Sequence, residues 1–293
     1  VRIVFIGTVQ FSREMLSHLI SMGADVQGVC TATEPRSNSD YADLSDLCRQ
    51  LHIPLLRTQD INSDEAIFWI SELKPDVIFC FGWSRLIGKR LLDLPHMGIV
   101  GYHPAELPKN RGRHPLIWAL ALGLNRTAST FFFMNEGADS GDILSQVQVE
   151  IDFDDDARSL YSKLVATAKT QLSQVVKRLD SGIIVRRKQD DLSATYWRKR
   201  TAKDGRIDWR MGARDIHNLV RALASPYPGA DFEAKNIIFK VWKSQVIVGV
   251  PLNAEPGKVI GFMQGQPIVR CGTDAICLID TTPFFEPSLG DYL

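Results

Sequence analysis

Ile3-Val4-Phe5-Ile6 opens the chain, Phe11 to Ile20 follows after Gly7-Thr8-Val9-Gln10, and Val26-Gln27-Gly28-Val29-Cys30 comes next. The first run is uninterruptedly apolar and too short for a helix, which suits a strand covered on both faces. The second places its apolar residues at helical spacing, and the third returns to strand character, so the three together read as β, α, β. The rhythm continues through the first 150 residues. Helix-like segments fall near Leu44 to Leu51 and Asp64 to Leu73, and buried-type strands at Asp76 to Phe81 and Gly98 to Tyr102. Apolar strands alternating with helices predict an α/β fold around a parallel sheet with helices on both faces.

Ligands of such sheets gather at the carboxyl ends of the strands. Here those ends are Gly7 to Gln10, Phe81 to Arg85 and Gly101 to Pro108. Farther along, Leu160, Leu164, Ala168, Leu172 and Val176 predict an amphipathic helix from Ala157 to Leu179 that stops at Ser181-Gly182. The texture then changes. Segments rich in Val and Ile, such as Ile237 to Val241 and Gln245 to Val250, are separated by Gly and Pro and read as a small β barrel or sandwich. The polar stretch Gln189 to Lys203 is the expected boundary, giving a first domain over 1–190 and a second over 191–293.

Charge is balanced, 34 basic residues against 34 acidic, so no global positive field draws a polyanion and a nucleic-acid partner is disfavoured. Cys30, Cys48, Cys80, Cys271 and Cys277 form no CxxC pair; the odd count and the absence of a signal peptide predict buried, reduced thiols in the cytoplasm. No apolar stretch approaches the roughly 18 residues of a membrane span.

Two stretches carry chemistry. Gly101-Tyr102-His103-Pro104-Ala105-Glu106-Leu107-Pro108-Lys109-Asn110-Arg111-Gly112-Arg113-His114-Pro115 leads a histidine out of a buried strand into a loop at the ligand edge, where an imidazole can relay a proton. Gly137-Ala138-Asp139-Ser140-Gly141-Asp142 places a carboxylate between glycines at the end of the apolar strand Ser129 to Met134, able to orient and charge-stabilise an imidazole. Either residue alone also fits a structural role, a strand-end histidine or a turn aspartate.

Together, the H-P-x-x-L-P-x-x-R-G-R-x-P run and the later G-x-D-S-G-D-I run resemble the formyltetrahydrofolate-dependent formyltransferases. That family includes methionyl-tRNA, sugar and glycinamide ribonucleotide formyltransferases. The resemblance extends from Phe5-Ile6-Gly7-Thr8 through Lys74-Pro75-Asp76 to Arg198-Lys199-Arg200-Thr201, Asp204-Gly205, Ile207-Asp208-Trp209, His217 to Ala222 and Pro226 to Ala230. It implies a Rossmann-like catalytic domain, a smaller mostly β, OB-like second domain, and 10-formyltetrahydrofolate as donor without a metal. By the same resemblance His103 and Asp139 are catalytic. Trp83, Ser84, Arg85, Leu86 and Ile87, with Gly137, Ala138 and Asp142, would hold the folate. Gly7, Thr8, Gln10, Phe11 and Arg113 would meet the acceptor, with the amides and helix dipole at Gly7 to Phe11 turned to a phosphate, although a purely structural turn fits there too.

One position departs from the pattern. The family carries Asn two residues before the histidine, and here that residue is Gly101. Losing a donor to the tetrahedral oxyanion typically costs about a hundredfold to a thousandfold in rate, so another group is expected to serve. Asn110 is the first candidate, then His114, a main-chain N–H or water. The tRNA enzymes carry a basic insertion after the second strand and a basic second domain. Here residues 31–46 hold Arg36 against Glu34, Asp40, Asp43 and Asp46, and residues 201–293 hold ten basic and ten acidic side chains. The expected acceptor is therefore a nucleotide-linked amino sugar, as in the 4-amino-arabinose enzymes of lipopolysaccharide biosynthesis, and a homodimer is compatible with this reading. The rivals are a methionyl-tRNA formyltransferase, a hydrolase of the folate, and a catalytically weak folate-binding homologue.

Overall fold

The computed structural model describes residues 1–33 and 40–293. Glu34 and Arg36, counted in the charge balance above, lie outside the described residues. The chain divides into two compact units, one of residues 1–112, 127–149 and 162–197, the other of residues 113–126, 150–161 and 198–293.

The first unit is built on a seven-stranded sheet. Its strands are β1 (Ile3–Gly7), β2 (Val26–Thr31), β3 (Leu55–Arg57), β4 (Val77–Phe81), β5 (Ile99–His103), β7 (Arg126–Phe133) and β8 (Ile143–Glu150); the two-residue strand β6 (Arg111–Gly112) lies outside it. The order is β3-β2-β1-β4-β5-β7-β8. β3 to β5 are mutually parallel, but β7 runs antiparallel to β5, with Gly101 opposite Phe132 and His103 opposite Thr130. The parallel sheet read from the first 150 residues is thus mostly rather than wholly parallel. Every residue of β1 and β4 is buried, because helices cover both faces. On one face α1 (Gln10–Ser21) packs Phe11, which stacks on Tyr102 at 4.1 Å between ring centres. The long α6 (Ala157–Asp180) lies beside it through Lys169 to Glu14 and His18 to Ser173. On the other face, Ala66 and Ile70 of α3 (Asp64–Glu72) and Leu91 of α4 (Lys89–Leu92) close over Val4, Ile6, Ile78, Cys80 and Ile99. The six-residue α2 (Ser45–Gln50) sits where the sequence placed a helix.

The second unit combines α5 (Pro115–Ala121) and α7 (Ala213–Ala222) with a five-stranded antiparallel sheet in the order β10-β11-β14-β13-β12. These strands are β10 (Ala230–Ala234), β11 (Ile237–Ile247), β12 (Val259–Met263), β13 (Gln266–Arg270) and β14 (Ala275–Thr282). Phe232, Phe239 and Phe285 meet at 4.8 to 5.3 Å and form its aromatic core. The two Val/Ile segments read separately in the sequence belong to one strand, β11, whose register shifts around Lys243. The polar interruption is a β-bulge, not a turn.

All five cysteines are buried and unpaired, and burial pushes the Cys80 thiol up to about 12. Among the described residues no helix is long and apolar enough to cross a membrane.

Candidate active site

His103 is the last residue of β5 and is 4% exposed. Beyond it the chain folds tightly, Ala105 N–H donating to the His103 carbonyl and Leu107 N–H to that of Ala105. The loop brings the Asn110 main-chain oxygen to 2.8 Å from the ring Nε2. A carbonyl only accepts, so Nε2 carries the hydrogen and Nδ1 is the basic nitrogen of the neutral ring. Nδ1 faces Asp139 Oδ2 at 3.6 Å. That is beyond a direct hydrogen bond.

Asp139 reaches this position from a turn with φ of 53°, and Asn110 has φ of 63°. Short Asx side chains are among the few that tolerate this left-handed region. Oδ2 of Asp139 also accepts from the Gly112 N–H at 2.9 Å. A Cβ at Gly141 would overlap the Phe133 carbonyl, so the glycine after Asp139 is required by the way the turn closes on β7. Gly137 N–H and Ser140 Oγ both donate to Asn135 Oδ1, while Gly137 and Ala138 are exposed. Asp142 contributes its main-chain oxygen to Phe133 N–H.

Gly101 lies on the same sheet face as His103. A Cβ there would stand 3.0 Å from both Met134 Cγ and Phe132 Cζ. The space is filled by apolar packing. Asn110, the first substitute considered, addresses the imidazole through its main-chain carbonyl; its side-chain Oδ1 accepts from Thr195 Oγ1 at 3.3 Å. The carboxamide is therefore turned to Thr195. His114 belongs to the second unit. Burial, then the charges of Arg113, Arg200 and Lys199, hold its imidazole below the usual pKa.

In the loop after β4, Trp83 packs against the α3-side core and its Nε1 is buried without an acceptor among the described residues. Ile87 is 2% exposed in the same core, Leu86 is exposed with its carbonyl held by Asn62 Nδ2, Arg85 donates to the Gln59 carbonyl, and Ser84 is exposed. The loop after β1 behaves differently from the expected open anion cradle. Thr8 and Val9 N–H both donate to Ser12 Oγ, and Gln10 N–H to the Asp40 carbonyl. Gly7 is needed because a Cβ would run into Ser12 and the Phe81 carbonyl, and Phe11 is buried on Tyr102. The amides of Thr8, Val9 and Gln10 are thus used inside the fold, and of residues 7–11 only Gln10 presents an exposed side chain. Arg113 falls in the second unit.

The polar stretch read only as a boundary holds residues at the site. Thr195 takes Asn110 N–H on its Oγ1 and Arg111 N–H on its carbonyl, and β6 pairs in parallel with β9 (Tyr196–Trp197). No local spacing rule flags a two-residue pairing across 85 positions. Among the described residues no group of three or more His, Cys, Asp or Glu is placed to hold a metal ion.

Residues 1–176 match the formyl transferase family and residues 199–283 the formyl transferase C-terminal domain. A methionyl-tRNA formyltransferase of Caldanaerobacter subterraneus subsp. tengcongensis is 32% identical over 284 residues, 95% of this chain and 91% of that protein. The chain belongs to the formyl transferase family. Two solved structures share the fold of this formyltransferase at 16% identity. The sugar 3N-formyl transferase WlaRD, solved with dTDP and 5-N-formyl-THF, aligns with a TM-score of 0.71 over 94% of this chain and 96% of its own. The N-formyltransferase of Helicobacter canadensis, in complex with folinic acid and dTDP-3-aminofucose, gives 0.72 over 94% and 98%.

Formyl transfer to an amine requires that the nitrogen lose a proton as it bonds to the formyl carbon, and that negative charge on the formyl oxygen be stabilised. In this formyltransferase Nδ1 of His103, with Asp139 beside it, is an arrangement that can take up such a proton and hold the resulting charge. Nε2 cannot do so while the Asn110 carbonyl occupies it.

Proposed function

We propose that this formyltransferase moves the formyl group of 10-formyltetrahydrofolate to the amine of a nucleotide-linked amino sugar, for use in a surface glycan such as lipopolysaccharide. The observation that carries the reading is the buried His103 with Nδ1 turned to Asp139, at the carboxyl edge of a sheet in a chain without basic excess. His103 accepts the proton of the attacking amine at Nδ1 as the new C–N bond forms, Asp139 stabilises the imidazolium, and that proton passes to the folate nitrogen as its bond to the formyl carbon breaks. Trp83 supports the donor assignment: a buried indole N–H without an acceptor suits the polar rim of a flat heterocycle held by residues 83–87 and the Gly137–Asp142 turn. When bound, that folate supplies the formyl carbon. The two sugar formyltransferases of like fold were solved with formylated folates, and one with a dTDP-amino sugar, which is in keeping with the reading.

A methionyl-tRNA acceptor is the second reading, favoured by the 32% identical relative and by a basic cluster in the second unit. Arg198 and Arg200 lie over the Trp118 ring at 5.3 and 4.6 Å, and Arg113 and Lys199 raise the positive field at His114. Incubation with 10-formyltetrahydrofolate and a panel of UDP- and dTDP-linked amino sugars, beside charged initiator tRNA, separates the two. Formylation of one or more sugars and not of the tRNA is expected; the reverse would transfer the assignment to tRNA.

A further inference from the structure

The turn carrying Asp139 is held from behind by Gln189, a carboxamide that the chemistry above does not use. Gln189 is 5% exposed; its Nε2 donates to the main-chain carbonyls of Asp139 at 2.8 Å and Gly141 at 2.6 Å. Its Oε1 accepts from Arg111 Nε at 3.1 Å and Nη2 at 2.9 Å. The orientation is forced, since a guanidinium only donates and carbonyls only accept. Arg111 is 1% exposed, and its remaining contacts, Tyr196 Oη at 2.7 Å and Asp191 Oδ1 at 2.8 Å, fix it in turn.

Asp139 is thereby gripped twice. Its main chain hangs on Gln189, and its carboxylate takes the N–H of Gly112, the residue after Arg111. The Asp139 backbone is left-handed, a conformation that a non-glycine residue keeps only where its surroundings impose it. A shift of the turn by an ångström would alter the 3.6 Å approach to His103 Nδ1, and displacements of that size are enough to slow a positioned reaction about a hundredfold.

We propose that Gln189, anchored on Arg111, is a positioning residue for formyl transfer: it sets the Asp139 turn so that the carboxylate faces His103. The proposal rests on the reading of His103 and Asp139 as the reacting pair.

Gln189→Glu tests it. The carboxylate keeps the shape and the partner Arg111 but cannot donate to the two carbonyls. The folded variant is expected to lose about tenfold to a hundredfold in kcat, with KM for donor and acceptor nearly unchanged, because positioning acts on the reaction step. In an Asp139→Asn background Gln189→Glu costs little more, because both act through one group. A folded variant with wild-type kcat, a rise confined to KM, or a full additional loss beside Asp139→Asn would overturn the proposal. If Gln189→Glu does not fold, Gln189→Asn, one methylene shorter, is read by the same criteria; failure of both to fold assigns Gln189 a purely structural role and also overturns it. His103→Ala separates the two levels. Inactive His103→Ala beside fully active Gln189→Glu refutes only the positioning role, whereas active His103→Ala refutes the site itself.

Discussion

Gly101 stands where the family has Asn, and packing explains why this chain does without the side chain. Its backbone is not left-handed, so any side chain is allowed conformationally; what crowds one is Met134 and Phe132 at 3.0 Å, which would have to give by a few tenths of an ångström. Gly101→Asn is therefore expected to lower stability by about 1–3 kcal/mol through overpacking, without raising turnover. Gly101→Asn with Met134→Ala relieves the crowding and recovers part of that stability; denaturant melts of the three variants check it. Asn110 calls for a gentler substitution than alanine, whose side chain would strain a φ of 63°. Asn110→Gly keeps the conformation and the carbonyl on His103 while deleting the carboxamide. Turnover within a few-fold of wild type is expected, and a loss of a hundredfold would return the oxyanion role to that carboxamide. The sequence showed His103 at a strand end and Asp139 in a glycine-flanked turn, but only the family resemblance joined them. Antiparallel β7 ends beside Val100 rather than beside His103, and the two residues meet through the turn that follows it. The part played by the Asn110 carbonyl was not legible, since a main-chain acceptor leaves no trace in residue type. Gln189 was equally hidden, its partners lying 78 and 50 positions away.

At the scale of elements, apolar periodicity located β1, β4, β5, α3 and α6 to within one or two residues. It could not show that β7 runs antiparallel to β5, because an apolar strand covered on both faces reads alike in either direction. Gly and Pro were expected to separate the two halves of β11, but only Trp242-Lys243-Ser244 lies between them, and a register shift around Lys243 carries the strand through. α5 and α7 carry two histidines whose burial matters to stability. His114 precedes α5, and His217 lies within α7 with Nδ1 3.1 Å from Ser244 Oγ. Burial is the main cause holding both imidazoles below their usual pKa, aided by Arg113 at His114 and by Arg221 at His217. The unfolded chain, with histidines near pH 6.5, thus takes up protons that the folded chain resists. Their contribution to stability is complete above about pH 6.5 and is lost as pH falls through the depressed values. Chemical denaturation midpoints should fall between pH 7.5 and 5.5, and less steeply in His114→Asn, whose side chain accepts the left-handed φ of 56°. An equal slope in that variant would remove His114 from the account.

Across the whole molecule the charge is balanced, 34 against 34, and this bears on the acceptor more directly than any single residue. Nucleic-acid affinity scales with the number of phosphates neutralised, so tRNA is expected to bind more weakly than about micromolar at physiological salt. Arg198 and Lys199, both exposed beside the buried Arg200, are the basic surface through which tighter binding would act. Tight, steeply salt-dependent binding that Lys199→Ala weakens would point to tRNA. The proposed role of the His103 and Asp139 pair in formyl transfer is common to every acceptor considered. Its most direct test is turnover of 10-formyltetrahydrofolate with the sugar acceptor by His103→Ala, Asp139→Ala and the double variant, each verified as folded. Losses of at least about a hundredfold in each single variant are expected, with little further loss in the double because the two groups act as one unit. Near wild-type turnover in both single variants would contradict the account.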